Sequence, residues 1–338
     1  MTRIKNAVPW WLKVGAKIVL SRLPFDYSVW KRLHLFEHGD MNQPKRALDT
    51  FLEHAKTGDV LDTKGQVPRL KTTNDGFAVL ELGPGDSLFT AVIAKSLGAS
   101  RTWLVDAGPF ATTDMNVYRS LFNHLQQEGV LMPSSTNPQN TDEILETCHG
   151  DYITDGVRSL TKLPADSIDY CFSNAVLEHV PKNQFALLAV ELFRVMKPGG
   201  VSVHRVDLKD HLGGGLNNLM FSEATWEGSL FRNSGFYTNR VRFSEMLVIF
   251  ERAGFDCSLP RILNWEKLPT PKSKMDAQFS RLPDNDLLVS GFDVVLHVRE
   301  KNGGAESRPE SIFERRGRRA MSGGTALRQV QSERASPR

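Results

Sequence analysis

The sequence predicts an α/β protein with a doubly wound, mostly parallel sheet, and three observations carry that reading. The run AVLEL, residues 78–82, is apolar enough to be a strand buried on both faces, and it ends in a tight Gly-Pro-Gly turn. A helical apolar pattern follows that turn directly. Further strand-like runs, TWLVD, SIDYCFSN and VSVHRVDL, then alternate with helical stripes, the signature of parallel strands joined by crossover helices. A chain of 338 residues is long enough to bury one sizeable core plus appendages.

Residues 1 to about 75 read as a helical N-terminal extension. Within it, 8–20 put Trp10, Val14 and Ile18 on one face and Lys13 and Lys17 on another. Two readings stay open, a helix packed on the main domain or one lying weakly in a membrane interface. The two lysines interrupt any membrane span, and no small-residue cleavage site follows. His34, Glu37 and His38 form the H-x-x-E-H pattern of one metallopeptidase class. No obvious third ligand follows, so the reading is packing, or closure over a neighbouring site, and no metal is predicted. TKGQVPRLKTTNDG, residues 63–76, is a polar bridge into the main domain.

That domain is expected over 76–300. After the first strand, Gly83 and Gly85 turn the backbone sharply and allow a ligand close approach. The next helix places Leu88 and Val92 at helical spacing, with Asp86 or Ser87 as N-cap and Gly98 just past its end. Charge then selects the ligand. Glu81 and Asp86 flank the turn, and Leu88 stands where a dinucleotide fingerprint has its third glycine. Two acids repel a diphosphate and attract a cationic group, which disfavours an NAD-dependent oxidoreductase. TWLVD ends in Asp106, about 20 residues beyond the turn, where a carboxylate accepts ribose hydroxyls.

Here the chain resembles the class I S-adenosylmethionine-dependent methyltransferases. Their first motif is an acidic residue, any residue, then Gly-x-Gly, as at Glu81–Gly85, and their second strand ends in an acid, as at Asp106. Ser87 departs from the pattern, since a third glycine is frequent there. The resemblance covers roughly 76–300. It implies a Rossmann-like, seven-stranded sheet whose last two strands form an antiparallel hairpin, and S-adenosyl-L-methionine as cofactor. The implied cofactor-binding residues are Glu81, Gly83, Pro84, Gly85, Asp106, Asp155, Gly156 and Asn174. For Asp155 and Gly156, placed by the family near the adenine, a plain turn has equal weight.

The remaining elements follow in order. Met115, Tyr118, Leu121, Phe122 and Leu125 form a helical stripe ending at Gly129, and 133–142 read as a loop insertion. CHGDYITDG gives the third strand and SIDYCFSNAVLEHV the fourth, with Pro181 opening a helix to 196. KPGG turns into the fifth strand. Residues 211–243, rich in Gly, Asn and aromatics, read as a long irregular lid. A helix from Ser244 to Ala253, capped by Ser244 and stopped by Gly254, leads to FDCSLPRIL and, after an insertion at 268–290, to GFDVVLHVRE. Residues 301–338 lack apolar periodicity and read as a basic disordered tail with RRGRR at 315–319. A solvated tail and a contact with an anionic membrane both stay open.

Because ligands on such sheets sit at the carboxyl ends of the strands, Gly83, Asp106, Asn174 and Asp207 are expected in one crevice. In the resembling family the fourth strand's end faces the methyl group, and the LEHV ending resembles enzymes acting on small molecules, quinones and sugars. More loosely, VDLKDHLGGG and FYTNRVRFSEM look like methyltransferases of bacterial surface-polysaccharide loci, which implies a sugar-containing acceptor. A hydroxyl acceptor is a poor nucleophile until a base removes its proton. His211, oriented by Asp207, is the expected base, with His179 the alternative; His204 lies inside a strand. A catalytically silent cofactor-binding scaffold and an N-methyltransferase are the rival functions.

A net charge of +3 gives no global field for nucleic acid, and the 301–338 segment, with nine Lys or Arg against four Glu, leaves the rest near −2. Cys148, Cys171 and Cys257 form no CxxC pair, which argues against zinc and fits a reducing, cytoplasmic setting.

Overall fold

The computed structural model describes residues 41–72, 75–130 and 138–299. The segment at 8–20, the pattern at 34–38 and the tail from 301 lie outside them. The helix α1 (Pro44–Thr57) and the antiparallel pair β1 (Leu61–Asp62) and β2 (Arg69–Leu70) come first. Phe51 of α1 is fully buried and meets Tyr170 and Phe172 edge-on, at centroid distances of 6.2 and 5.5 Å. This helix therefore contributes to the core of the sheet that follows.

That sheet has seven strands: β3 (Ala78–Leu82), β4 (Arg101–Val105), β5 (Gly150–Ile153), β6 (Ile168–Asn174), β7 (Met196–Asp207), β8 (Phe255–Asn264) and β9 (Val289–Val298). Their order is β5-β4-β3-β6-β7-β9-β8. The first five are parallel, and β9 runs antiparallel between β7 and β8. The doubly wound, Rossmann-like arrangement expected from the alternating pattern is thus present, with its closing hairpin. The chain winds outward from β3 through β5, then crosses back to β6. The gap between β3 and β6 is therefore the switch point where open α/β sheets bind ligands.

Both faces of β3 are buried, as its mostly apolar run implies, with Glu81 the one polar residue in it. On one face α1, α2 (Phe89–Ser96) and α3 (Met115–Gln127) enclose Val79, Ile93, Leu121, Tyr170 and Phe172. The short α4 (Thr141–Cys148) completes that side. On the other face α5 (Lys182–Val195) and a later helix cover Leu80, Cys171, Phe185, Leu192 and Phe250. Each such fully buried Leu or Phe stabilises by about 1.5–3 kcal/mol.

Several boundaries differ from the sequence expectation. Helix α2 starts at Phe89, with Leu88 at the cap position. Ser87 is drawn away because its hydroxyl donates to the Met41 carbonyl at 2.8 Å. Thr141 and Asp142, expected in a loop, open α4, since the Asn140 side chain accepts the Glu143 N–H. Strand β7 begins at Met196, so KPGG lies within a strand whose register shifts against β6 between Ile168 and Tyr170.

The region after β7, expected as an irregular lid, is an ordered cap. It holds a 3₁₀ turn (Asn217–Met220), α6 (Glu223–Trp226) and α7 (Ser229–Arg232), and then enters α8 (Phe243–Ala253). Arg242 precedes α8, while the Ser244 hydroxyl donates to Asp286 at 2.6 Å. Leu212, Trp226, Phe231, Phe236 and Tyr237 pack into an apolar cluster of their own. A second cluster ties Leu216 and Leu219 to Met275, Phe279 and Leu287 in the insertion between β8 and β9, which carries α9 (Ala277–Ser280) and α10 (Asp284–Leu287). No helix among the described residues is long and apolar enough to cross a membrane.

Candidate functional site

The turn after β3 is built as its glycines require. Gly83 and Gly85 have φ of +69° and +63°, in the left-handed region that strains residues bearing a Cβ. A Cβ on Gly83 would also lie 2.5 Å from Cγ2 of Val176, just beyond β6. Pro84 between them is buried. Asp106, directly after β4, ties the neighbouring strand ends together. Its Oδ2 accepts the Gly85 N–H at 2.9 Å and its Oδ1 the Ala107 N–H at 2.7 Å. Its own N–H donates to Ile153, and its carbonyl accepts the Gly156 N–H at 2.8 Å.

Glu81 lies within β3 and is buried. Burial pushes its carboxyl up to about 8, the Thr90 hydroxyl favours the charged form, and the negative charge of Asp106 opposes it. Glu81 is therefore protonated at neutral pH and would ionise beside a cation. Asp155 turns its carboxylate toward Lys162, 3.3 Å away at the surface, so only Gly156 of that pair is bonded to Asp106.

Asn174 ends β6 opposite Arg205. Ala175 follows with φ +55°, its N–H donating to the Arg205 carbonyl at 2.9 Å, and this sharp bend leads into the 3₁₀ turn Leu177–His179. His179 is exposed, and its Nδ1 lies 3.0 Å from the Tyr237 carbonyl. A carbonyl only accepts, so Nδ1 carries the proton and, in the neutral ring, Nε2 the lone pair. His211, also exposed, packs edge-on against His179 with ring centroids 4.9 Å apart.

The structure thus brings His179 and His211 together, but the expected Asp207–His211 pair is not formed. Among the described residues, the Asp207 carboxylate accepts the Lys209 N–H at 3.0 Å and sits 3.6 Å from its ammonium. A two-residue loop-back of this kind is what Asp does locally at a strand end, and here it prevails over pairing four residues on. His204 is fully buried, bonded at 2.7 Å to both Ser173 and Ser202, and held neutral by burial, which pushes it down to about 3.

Three residues with no signal of their own in the sequence pattern belong to this neighbourhood. Glu178 is 2% exposed and pushed up to about 8, chiefly by burial, and its Oε2 has no hydrogen-bond partner. Tyr237 and Asn239 reach the same turn from the cap. A cavity of about 220 Å³ lined by Gly65, Arg69, Ser96 and Gly129 lies where α2 and α3 finish, away from these strand ends. Among the described residues, no three His, Cys, Asp or Glu side chains are grouped to hold a metal ion.

Residues 134–204, spanning β5, β6 and the first part of β7, match the family model of a methyltransferase domain. Among solved structures, the YcgJ protein of Bacillus subtilis is similar at 15% identity and a TM-score of 0.39, over 76% of this chain and 99% of its own. The arsenic(III) S-adenosylmethionine methyltransferase of Chlamydomonas reinhardtii is similar at 15% identity and a TM-score of 0.38, over 77% and 75%. Phosphoethanolamine N-methyltransferase 2 of Haemonchus contortus gives 15% and 0.37, over 75% and 53%. No protein of curated function matches in sequence. The strand order, the acidic glycine turn and the domain match agree with the class I methyltransferase fold expected from the sequence. The match over 134–204 supports an S-adenosylmethionine-dependent methyltransferase. The donor set fits this cofactor: no Lys or Arg lies in 81–90 to hold phosphate, acids at 81 and 86 flank the turn and would suit a cationic group, and a carboxylate able to accept about four hydrogen bonds follows β4.

Proposed function

We propose that the enzyme methylates an oxygen of a small, sugar-containing acceptor, with His179 as the base. What supports the base is the bond from its Nδ1 to the Tyr237 carbonyl, which leaves Nε2 as proton acceptor at the end of β6. S-adenosylmethionine, when bound, supplies an electrophilic methyl group. Asp106 holds the ribose, Glu81 and the Gly83–Pro84–Gly85 turn face the cationic amino-acid end, and Asp155, Gly156 and Asn174 flank the rest. Holding acceptor and methyl in line contributes up to about 7–11 kcal/mol in well-oriented cases. A positioned base adds about 10² to 10⁴-fold for a hydroxyl acceptor. This assignment moves the base from His211 to its ring neighbour, and His211 lines the same corner. Support for the sugar comes from VDLKDHLGGG and FYTNRVRFSEM, which form the entry and exit of the cap beside the histidines.

The test has two stages. Calorimetric titration with S-adenosylmethionine is expected to show one site. Incubation with a panel of glycosides, quinols and amines, read by mass spectrometry, is expected to add one methyl to a glycoside hydroxyl. Methylation of amines alone would replace the oxygen acceptor, and His179→Ala with kcat within threefold of wild type would remove His179 as base.

A further inference from the structure

The turn carrying His179 is bonded at several points to one short strip of the cap. Asn239 is 1% exposed, and both ends of its side-chain amide and its backbone N–H are bonded. Its Nδ2 donates to the carbonyls of Leu177 at 2.8 Å and Val180 at 2.9 Å, so one amide brackets the turn on both sides of His179. Its N–H donates to the Glu178 carbonyl at 2.7 Å, and its Oδ1 accepts the Val241 N–H at 3.0 Å. Two residues earlier, the Tyr237 carbonyl faces His179 Nδ1, and the Tyr237 hydroxyl accepts the Lys182 N–H at 3.3 Å while donating to Glu227 at 2.8 Å.

The strip is itself fixed to the cap's apolar core. Between the two residues, the Thr238 carbonyl accepts Nε1–H of the fully buried Trp226 at 2.7 Å, and its hydroxyl accepts from Asn218 at 2.9 Å. The carbonyl that sets the tautomer of His179 therefore belongs to the cap, about 58 residues away in sequence, rather than to the strand or turn that presents the ring. Here Leu177, Glu178, His179, Val180 and Lys182 are all bonded to the strip, which fixes where the imidazole stands as well as which nitrogen is protonated.

We propose that Asn239 is a positioning residue of the methyl-transfer site: with the Tyr237 carbonyl it holds His179 in the Nδ1–H tautomer, so that order in the cap sets the readiness of the base. The inference rests on the reading of His179 as base, yet its structural half is testable without that reading. A side chain acting this way affects the rate through His179 alone. It leaves cofactor binding, built on Asp106 and the glycine turn, untouched.

The experiment combines nitrogen-15 histidine NMR with a double-mutant cycle on the full chain. His179 is assigned from the resonance lost in His179→Gln. In the wild type it is expected as a neutral ring protonated on Nδ1; an Nε2–H tautomer would overturn the proposal whatever the variants do. In Asn239→Ala, which removes all three side-chain bonds, the resonance is expected to shift toward mixed tautomers, with kcat down about tenfold and cofactor affinity within about twofold. In His179→Ala, adding Asn239→Ala is expected to change the rate less than twofold, because the two act as one unit. An equal tenfold loss in both backgrounds would place Asn239 outside His179's action and overturn the proposal. If His179→Ala keeps the wild-type rate, the base assignment fails, whereas the tautomer measurement still decides whether Asn239 and Tyr237 hold the ring. Should Asn239→Ala fold poorly, Asn239→Asp, which keeps the bond to Val241 and loses those to Leu177 and Val180, carries the same comparison.

Discussion

Oδ2 of Asp106 accepts the N–H of Gly85 at 2.9 Å, so the residue assigned to the ribose also braces the glycine turn. Asp106→Ala removes both functions. Leaving the buried Gly85 N–H unpaired costs about 1–3 kcal/mol of stability, and losing charge-assisted bonds to a ribose, about 1.5–3 kcal/mol each, weakens cofactor binding at least tenfold. Asp106→Asn keeps an acceptor toward one backbone donor and should lie between the two. Calorimetry with S-adenosylmethionine and thermal melts on the same samples read both effects. A melt shift with unchanged affinity would leave Asp106 a structural brace only.

Gly83 is constrained by Val176 as well as by its φ of +69°. Gly83→Ala adds a Cβ 2.5 Å from Cγ2 of Val176 and places it in the left-handed region, which alone costs about 1–2 kcal/mol. Trimming the neighbour removes the clash and leaves the backbone strain. Val176→Ala should therefore recover part of the stability of Gly83→Ala in denaturant titrations. No recovery would mean that the turn, and not the contact, is what the glycine serves.

Glu81 gives the protein a pH signature. Folded, it keeps its proton to about pH 8; unfolded, it releases it near 4.5, so unfolding liberates a proton throughout that window. Stability contributed by this position falls as pH rises from about 5 toward 8, by at most about 1.4 kcal/mol per unit, and levels off above. Glu178 works in the same direction and remains in the comparison. Glu81→Gln should consequently flatten the decline relative to wild type in denaturation at several pH values. Parallel curves for the two proteins would mean that Glu81 is ionised in the fold.

How far the sequence led is clearest at particular residues. Ala78–Leu82 and Gly254 were legible, because a strand buried on both faces is mostly apolar and glycine readily takes the left-handed conformation that ends this helix. The His179–His211 contact was not legible, since it depends on two turns whose ends are set by bonds to the cap and to Asp210. The Asp207–His211 pairing was misjudged from four-residue spacing, a rule that holds on a helix and not in a segment that bends back at Lys209. Glu178 and Asn239 look like ordinary polar residues in a string; burial to 2% and 1% is what marks them. The cap looked irregular because its order comes from aromatics scattered between Leu212 and Tyr237, with neither a two- nor a 3.6-residue period.

Asp210 should separate the acceptor half of the site from the cofactor half. It is 3% exposed, and its Oδ1 accepts the N–H groups of Leu212 and Gly214, each at 3.0 Å, and of Gly215 at 3.2 Å, while its Oδ2 accepts that of Asn217. Its backbone closes the same loop, accepting from Gly214 at 3.1 Å and donating to Gly215 at 2.9 Å. Three consecutive glycines have the greatest conformational freedom to lose, so residues 211–217 depend on this carboxylate for their order. Asp210→Ala leaves the buried donors of Leu212 and Gly215 unpaired at about 1–3 kcal/mol each. Hydrogen exchange should accelerate across 211–220, and His211 should lose its place against His179. Asp106 and the glycine turn belong to other strand ends, so affinity for S-adenosylmethionine should stay within about twofold, the outcome for sites without shared partners. Asp210→Asn retains Oδ1 for three of the four donors and should show a milder version of each change. Unaltered exchange across 211–220, or cofactor affinity that falls in step with it, would show that the two halves of the site are not separable in this way.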